Sequence, residues 1–208
     1  MQTRILVIQA DVTNEEQVKD AIDKTVSTFG AIHVALPCAG VSWPMLTYSD
    51  RRGPLDMNLY KKVIEINLFG SVYVAKYASM AMSKNKPVGE HNEKGVIIFV
   101  SSVAAYEGQK GQVAYSASKA ALNGMVMPMA RDLGRYNIRA VAIAPGIMWS
   151  PMSDQMPEKV RKSLLADTPM GRMGRPEEFA HFAGAVIENS YLNGVHLRLD
   201  GATKFSNL

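Results

Sequence analysis

Apolar runs alternate with longer polar, helix-forming stretches along this chain of 208 residues. Five short runs rich in Val, Ile, Leu and Ala are each bounded by Gly, Pro, Asn, Asp or Ser, and they lie at 4–10, 32–40, 96–101, 138–146 and 194–202. Runs of this length and composition predict buried strands. Because they alternate with amphipathic stretches, the pattern predicts an α/β fold with a mainly parallel sheet and helices on both faces.

The stretches between these runs predict the helices. They lie at 14–30, at 55–82, from the region of Tyr115 to about Arg135, near 158–166, and from Pro176 onward. Asn14 is a good N-cap for the first helix, and Gly30 is a good stop. Pro128 should kink the third helix or sit where packing tolerates a lost hydrogen bond. A polar loop fills 84–95, and a Met-rich segment fills 147–173.

Composition narrows the class of protein. The length suits a single domain over 1–208, and the 47% apolar content indicates a globular chain. No apolar run approaches the ~18 residues that span a bilayer. Cys38 is the only cysteine, which fits a reducing intracellular compartment. The four histidines show no metal-ligand spacing, and the net charge of +4 is spread along the chain, without a specific nucleic-acid signal.

Small and polar residues follow the predicted strands. Asp11, Ala39–Gly40, Ser101–Ser102 and Pro145–Gly146 each occupy the end of an apolar run. In parallel sheets these ends meet at one edge, where ligands collect. The next helix carries Tyr115 and Lys119 four residues apart, so both lie on one face. Such a pair is also common on a solvated helix, and that alternative stays open from spacing alone.

The combination is more specific than its parts. Ser102, Tyr115 and Lys119 form an S-x12-Y-x3-K pattern, with "IEINLFG" upstream and "APG" downstream. Together they resemble the short-chain dehydrogenase/reductase family, over a range from Arg4 to Gly201. The resemblance implies a Rossmann-like doubly wound sheet. It also implies an NAD-dependent oxidoreductase that interconverts a secondary alcohol and a ketone, with a 3-hydroxyacyl-CoA or a hydroxysteroid as substrate.

The resemblance assigns a catalytic role to four residues. Tyr115 would be the acid/base, Lys119 would bind the nicotinamide ribose, Ser102 would polarise the substrate oxygen, and Asn67 would hold a water linked to Lys119. An ordinary Tyr has a pKa of about 10, and we expect the Lys119 ammonium to lower it. The structural alternatives are that Asn67 is a buried amide that satisfies the backbone and that Ser102 caps a loop.

The resemblance also implies which residues bind NAD. Besides Tyr115 and Lys119 they are Asp11, at the adenine amino group, with Val12 beside it; Ala39 and Gly40, where the backbone approaches the cofactor; Pro145, Gly146 and Ile147, at the nicotinamide end; and Ser150, where the family usually has Thr. Pro37 departs from the family's usual Asn in its N-x-A-G pattern, which removes a side-chain amide and a backbone N–H.

The family's glycine-rich turn, T-G-x3-G-x-G, does not occur in this sequence. The chain opens at what should be the family's third strand, so the first two strands of the family's sheet order, 3-2-1-4-5-6-7, are absent. Three explanations stay open. The chain is part of a longer enzyme, or another chain supplies the missing half. Alternatively, 4–10 pairs directly with 32–38 in a product that has lost cofactor binding and serves as a non-catalytic structural subunit.

Partners and location are implied by the resemblance alone. It suggests a homo-tetramer, possible membership of a larger assembly, and a mitochondrial location. The Met-rich segment 147–173 corresponds to the family's substrate lid, although methionines that fill a core under a loop would look the same. Lys110, or the basic residues of 84–95, would meet CoA phosphates.

Overall fold

The computed structural model describes residues 4–154 and 156–204. Four parallel strands form one sheet, in the spatial order β1 (Val34–Ala35), β4 (Gly95–Val100), β5 (Ile138–Pro145) and β6 (His196–Leu199). Two short strands, β2 (Tyr48–Ser49) and β3 (Gly53–Pro54), form a separate antiparallel hairpin. The parallel, Rossmann-like α/β sheet expected from the sequence is therefore confirmed.

The helices follow the predicted pattern closely. They are α1 (Glu15–Phe29), α2 (Met57–Ile64), a π-helical turn (Glu65–Phe69), α3 (Gly70–Met82), a 3₁₀ turn (Val103–Ala105), α4 (Val113–Gly134), α5 (Pro151–Asp154), α6 (Glu158–Ala166) and α7 (Pro176–Glu188). The Asn14 side chain caps α1 by accepting from the Gln17 N–H, and Gly30 ends α1 with a φ of 86°. Pro128 lies inside α4 without ending it.

Side-chain alternation along β4 divides the core between the two faces of the sheet. Ile97 and Phe99 pack with residues of α1, α3 and α4, whereas Val96 and Ile98 pack with residues of α7. A central parallel strand that is apolar on both faces requires cover on both. The expected helices on both faces of the sheet are therefore present.

The two N-terminal strand predictions fare differently. The predicted strand at 4–10 is wrong: these residues adopt no regular structure, and Ile5 and Val7 are 76% and 88% exposed. The strand predicted at 32–40 is reduced to β1, which pairs with β4 alone. Pairing of 4–10 with 32–38 is therefore also wrong. An apolar run forms a strand only when it can hydrogen-bond to a neighbouring strand, and the two residues of β1 offer few backbone groups for such bonds.

A buried arginine joins the amino-terminal end of β5 to α7. Arg139, at the start of β5, donates from Nε to the Glu93 carboxylate at 2.8 Å. Its two terminal nitrogens donate to the carbonyls of Val186, Leu192 and Ile187 at 2.8–3.0 Å. These carbonyls end or follow α7, where a helix lacks internal partners for its C=O groups. Arg139 thus fixes the end of α7 to the sheet and to the loop that carries Glu93.

Candidate active site

Ser102 lies just beyond the carboxyl end of β4 and is buried. Its Oγ accepts a hydrogen bond from the Ala104 N–H at 3.1 Å and so caps the 3₁₀ turn. The capping alternative is therefore observed. The cap still leaves the Ser102 hydroxyl able to donate a hydrogen bond, because an oxygen that accepts one hydrogen bond keeps its own proton.

Tyr115 and Lys119 project from the first turns of α4 toward the same strand end. The Lys119 Nζ lies 5.7 Å from the centre of the Tyr115 ring and donates to the Val100 carbonyl at 2.8 Å. Lys119 is only 6% exposed, and Tyr115 is half-buried. A solvated surface pair would leave both side chains in water, so that alternative is wrong. Ser102, Tyr115 and Lys119 meet at the end of β4.

The electrostatics differ from what the sequence suggested. Burial raises the pKa of the Tyr115 phenol, and a hydrogen bond with Ser102 acts in the opposite direction. The expectation that Lys119 lowers the Tyr115 pKa is therefore wrong. Burial is the largest influence on the phenol, because the charged phenolate loses its contact with water. Burial also lowers the pKa of Lys119, to about 8, and the neighbouring Cys38 opposes that shift.

The π-helical turn places Asn67 fully inside the protein. Its Oδ1 accepts from the Val41 N–H at 2.8 Å, and its Nδ2 donates to the Val41 carbonyl at 2.9 Å and to the Ser118 Oγ at 3.0 Å. The Asn67 carbonyl accepts from the Ser71 hydroxyl at 2.8 Å. These contacts are those of a buried amide that satisfies the backbone. The water-holding role of Asn67 stays a prediction.

Gly40 completes this cluster from the loop that follows β1. A Cβ added there would lie 3.3 Å from the Asn67 Oδ1 and 3.5 Å from the Lys119 Nζ. Gly40 therefore lies close to Asn67 and Lys119, and the approach of the Ala39–Gly40 backbone to a cofactor stays a prediction. Ala39 is exposed, as is Cys38 before it, and Pro37 is half-buried.

Asp11 and Val12 lie beside the long helix. The exposed Asp11 carboxylate accepts from the Thr13 N–H at 2.9 Å and from the Thr13 hydroxyl at 2.8 Å, and these bonds lower its pKa. Val12 packs on Gly70, where an added Cβ would lie 2.9 Å from the Val12 Cβ. Gly70 lies about one helical turn beyond Asn67, so Val12 and the adjacent Asp11 lie at the flank of the cluster. The lowered pKa keeps the Asp11 carboxylate ionised, as a hydrogen-bond acceptor.

The residues predicted for the nicotinamide end lie at the end of β5, which is Pro145, and just after it. The Gly146 N–H donates to the Leu199 carbonyl at 3.0 Å, and an added Cβ there would lie 2.9 Å from the Asp200 Cα. Ile147, two residues past Pro145, lines a cavity of about 230 Å³. Met148, Met170, Arg172, Gly174, Glu178, Leu199, Asp200 and Gly201 complete its wall.

Ser150 has local partners instead. Its hydroxyl accepts from the Ser153 N–H at 3.2 Å, at the start of α5. The Ser150 N–H in turn donates to the Ser153 Oγ at 2.9 Å. The contacts of Ser150 are therefore those of a short helix cap, and its contact with a cofactor stays a prediction.

The structure thus gathers five predicted residues in contact: Ser102, Tyr115, Lys119, Asn67 and Gly40. Asp11 and Val12 flank them. The neighbouring strand, β5, ends at Pro145 on the same side of the sheet, and it is followed by Gly146, Ile147 and Ser150. Sequence reasoning missed the part played by Ser118 and by the Val41 and Val100 backbone. Ser118 was visible only as one small residue among several.

The two regions predicted to bind CoA phosphates, segment 84–95 and Lys110, lie at opposite ends of the parallel strands. Segment 84–95 runs into the amino end of β4, and the Lys94 N–H bonds the Asn137 carbonyl just before β5. Because Ser102 lies at the other end of β4, the basic residues of 84–95 are wrongly placed for the site. Lys110 precedes α4 on the correct side and lines an open groove of about 460 Å³ with Met45.

The residues present fit part of a nicotinamide dinucleotide. The buried Lys119 amine, the Tyr115 hydroxyl and the Gly40 approach suit a ribose and its nicotinamide, and the Asp11 carboxylate suits an adenine amino group. The pyrophosphate usually rests on a glycine-rich turn before a helix. Neither the sequence nor the described residues offer that turn, so the fit covers the two ends of the cofactor and not its centre.

Two further features bear on the class of site. Across residues 4–154 and 156–204, no group of three or more His, Cys, Asp or Glu side chains could hold a metal ion. Within those same ranges, no helix combines the length and the apolar character that crossing a membrane requires.

Comparison with known proteins places this site in context. A family profile described as enoyl-(acyl carrier protein) reductase matches residues 1–202. The 3-hydroxyacyl-CoA dehydrogenases type-2 of Mus musculus and Homo sapiens are each 42% identical over 197 residues, which cover 94% of this chain and 75% of each relative. The chain therefore spans about three quarters of the length of these relatives.

Solved structures agree with the sequence matches. The crystal structure of 3-hydroxyacyl-CoA dehydrogenase type-2 from Mycobacterium avium superposes with a TM-score of 0.88 at 33% identity, covering 97% of this chain and 78% of the other. A 7α-hydroxysteroid dehydrogenase complexed with NADH and 7-oxo glycochenodeoxycholic acid gives a TM-score of 0.81 at 26% identity, covering 93% and 72%. The chain is similar to oxidoreductases of both substrate classes suggested by the sequence.

Proposed function

The chain belongs to the short-chain dehydrogenase/reductase family, and from that premise we propose that it interconverts a secondary alcohol and a ketone with NAD as cofactor. The substrate is a 3-hydroxyacyl-CoA or a hydroxysteroid. The observation that carries the proposal is the convergence of Ser102, Tyr115 and a buried Lys119 at the end of β4. The names of the similar proteins support the substrate classes.

Tyr115 is the acid/base in this proposal. Because burial raises its pKa, the phenol carries its proton at neutral pH. That protonation state serves ketone reduction, in which the oxygen of the former carbonyl must gain a proton. Oxidation of the alcohol needs the phenolate and should therefore accelerate as the pH rises. The cofactor held by these residues would supply the hydride that the carbonyl carbon accepts.

Ser102 and Lys119 orient the reactants. The Ser102 hydroxyl keeps its proton free of the cap it forms, so it can donate to the substrate oxygen. Lys119, with a pKa of about 8, is held in place by the Val100 carbonyl, and it would donate to the cofactor ribose. Preorganised donors of this kind stabilise charge that develops during the reaction.

The substrate's apolar part would contact the Met-rich segment 147–173. Met148 and Met170 both line the 230 Å³ cavity that Ile147 shares. Flexible thioether side chains adapt to apolar groups of different shape, which suits an acyl chain or a steroid. Lys110, at the groove on the same edge of the sheet, would meet a CoA phosphate.

We propose a homo-tetramer in mitochondria as the working form, following the family resemblance. The support within the structure is the apolar surface that Phe69, Met80 and Met127 leave exposed on the two long helical segments, 57–82 and α4. Exposed apolar groups on neighbouring helices suit contact with another subunit.

A second function has an observation in its favour. Residues 4–10 have no strand partner within the part of the chain that the structure describes, and β1 is only two residues long. These two features favour a non-catalytic subunit derived from such an enzyme, with cofactor binding lost. Cofactor binding separates the two functions.

The test is a fluorescence titration of the purified chain with NADH. The enzyme proposal predicts saturable binding that Gly40→Leu weakens at least tenfold, since a large side chain would enter the space between Asn67 and Lys119. Gly184→Leu, a matched change on α7 where an added Cβ meets nothing within 4 Å, should bind like the wild type. Absence of binding at millimolar NADH would contradict the enzyme proposal and support the structural subunit.

A further inference from the structure

Ser118 links the catalytic turn of α4 to the rest of the site. It is completely buried, and its position lies between Tyr115 and Lys119 in the chain. We propose that Ser118 is a positioning residue, which sets where the acid/base pair sits relative to the end of β4. This inference rests on the proposed function of that pair.

The Ser118 hydroxyl makes one bond in each direction. Its Oγ accepts from the Asn67 Nδ2 at 3.0 Å and donates to the Tyr115 carbonyl at 2.7 Å. A hydroxyl has a single proton, so the second bond settles its orientation and leaves a lone pair for Asn67. The hydroxyl therefore connects the π-helical turn to the backbone of the residue that carries the phenol.

Asn67 is a fixed anchor for this link. Both polar groups of its side chain also bond the Val41 backbone, one to the N–H and one to the C=O. An amide held at both ends cannot rotate to follow a moving acceptor, so the acceptor must stay where the amide proton points. Ser118 thus holds α4 against the loop after β1 as well as against the π-helical turn.

The opposite side of the same turn has its own attachments. The Ser101 hydroxyl donates to the Lys119 carbonyl at 3.1 Å, and the Lys119 Nζ donates to the Val100 carbonyl at 2.8 Å. The turn from Tyr115 to Lys119 is consequently held between β4 on one side and Asn67 on the other. Among the described residues, loss of the Ser118 hydroxyl removes the polar attachment on the Asn67 side and leaves those to β4. A displacement of about 1 Å in a catalytic group can reduce a rate by about a hundredfold.

The test compares Ser118→Ala with Ser118→Thr, which keeps the hydroxyl. Ser118→Ala should reduce kcat for ketone reduction by about tenfold or more, with a smaller change in KM for NADH, and should shift the apparent pKa of the pH–rate profile. Ser118→Thr should recover most of the loss. Thr25→Val removes a hydroxyl bonded to the Ala21 carbonyl on α1, far from the site, and should leave the profile unchanged.

An activity-independent measurement separates this inference from the proposed function. The pKa of Lys119, followed by NMR titration of its side chain, should rise from about 8 toward the ordinary lysine value in Ser118→Ala, because a loosened turn exposes the amine. An unchanged Lys119 pKa in a folded Ser118→Ala variant would overturn the positioning role. Failure of the wild type to reduce any ketone would refute the proposed function and leave this titration decisive.

Discussion

The buried Lys119 amine should make the stability of the protein depend on pH in a way that one substitution removes. Lys119→Met keeps an unbranched side chain, one atom shorter, and deletes the titrating group. In the folded protein the Lys119 pKa is about 8, against an ordinary value of 10.5. The folded state therefore holds the ammonium at a cost, which the unfolded chain does not share.

The sign follows from the protons bound by each state. Below pH 8 both states carry the proton, so the contribution of Lys119 does not change with pH. Between pH 8 and 10.5 the unfolded chain keeps the proton and the folded chain loses it, so the free energy of unfolding rises with pH. A difference of 2.5 pKa units corresponds to a total rise on the order of 3 kcal/mol.

Urea denaturation of both proteins between pH 7 and 10 measures this rise. The free energy of unfolding of the wild type should increase relative to Lys119→Met by about 2.5 kcal/mol across that range, most of the total rise. Lys62→Met, which removes an exposed ammonium on α2, should show a constant difference from the wild type. A Lys119→Met difference that stays constant within about 0.5 kcal/mol would refute the argument that the amine is held in a desolvated site.

Two further substitutions test how the site is framed. Gly146→Ala should lower the free energy of unfolding by about 1–3 kcal/mol in urea denaturation, because the new Cβ meets backbone of Asp200 at 2.9 Å; Gly184→Ala, in open space on α7, should instead raise it slightly, and equal effects would contradict the packing at Gly146. Arg139→Met should cost about 3 kcal/mol, because it strands the Glu93 carboxylate and three carbonyls at the end of α7; a loss below about 1 kcal/mol would show that these bonds contribute little.

Local signals in the sequence were sufficient for most of the fold. The Asn14 cap, the Gly30 stop and the apolar run that became β4 each act through neighbouring residues, so the chain alone reveals them. The same holds for the Tyr115–Lys119 spacing, which needs only a helix to place both side chains on one face. Residues whose partners are adjacent in sequence were therefore predicted correctly.

Properties that depend on residues far apart in the sequence were not predicted correctly. The run at 4–10 has strand composition but no strand beside it, so it stays irregular and exposed. The Tyr115 pKa depends on how deeply the side chain is buried. Burial raises this pKa, whereas the proximity of Lys119 in the sequence suggested that it would be lowered. The bridge from Asn67 to Ser118 joins residues 51 positions apart, and no spacing rule connects them.

In the proposed reaction the Tyr115 phenol, beside Ser102 and Lys119, transfers the proton in a nicotinamide-dependent reduction. The most direct measurement is the rate of NADH oxidation with acetoacetyl-CoA, and with an oxosteroid, for the wild type and for Tyr115→Phe. We expect turnover by the wild type, a loss of at least a hundredfold in kcat at saturating NADH for Tyr115→Phe, and no effect of Tyr136→Phe. Equal turnover by the wild type and Tyr115→Phe would contradict this role of the phenol.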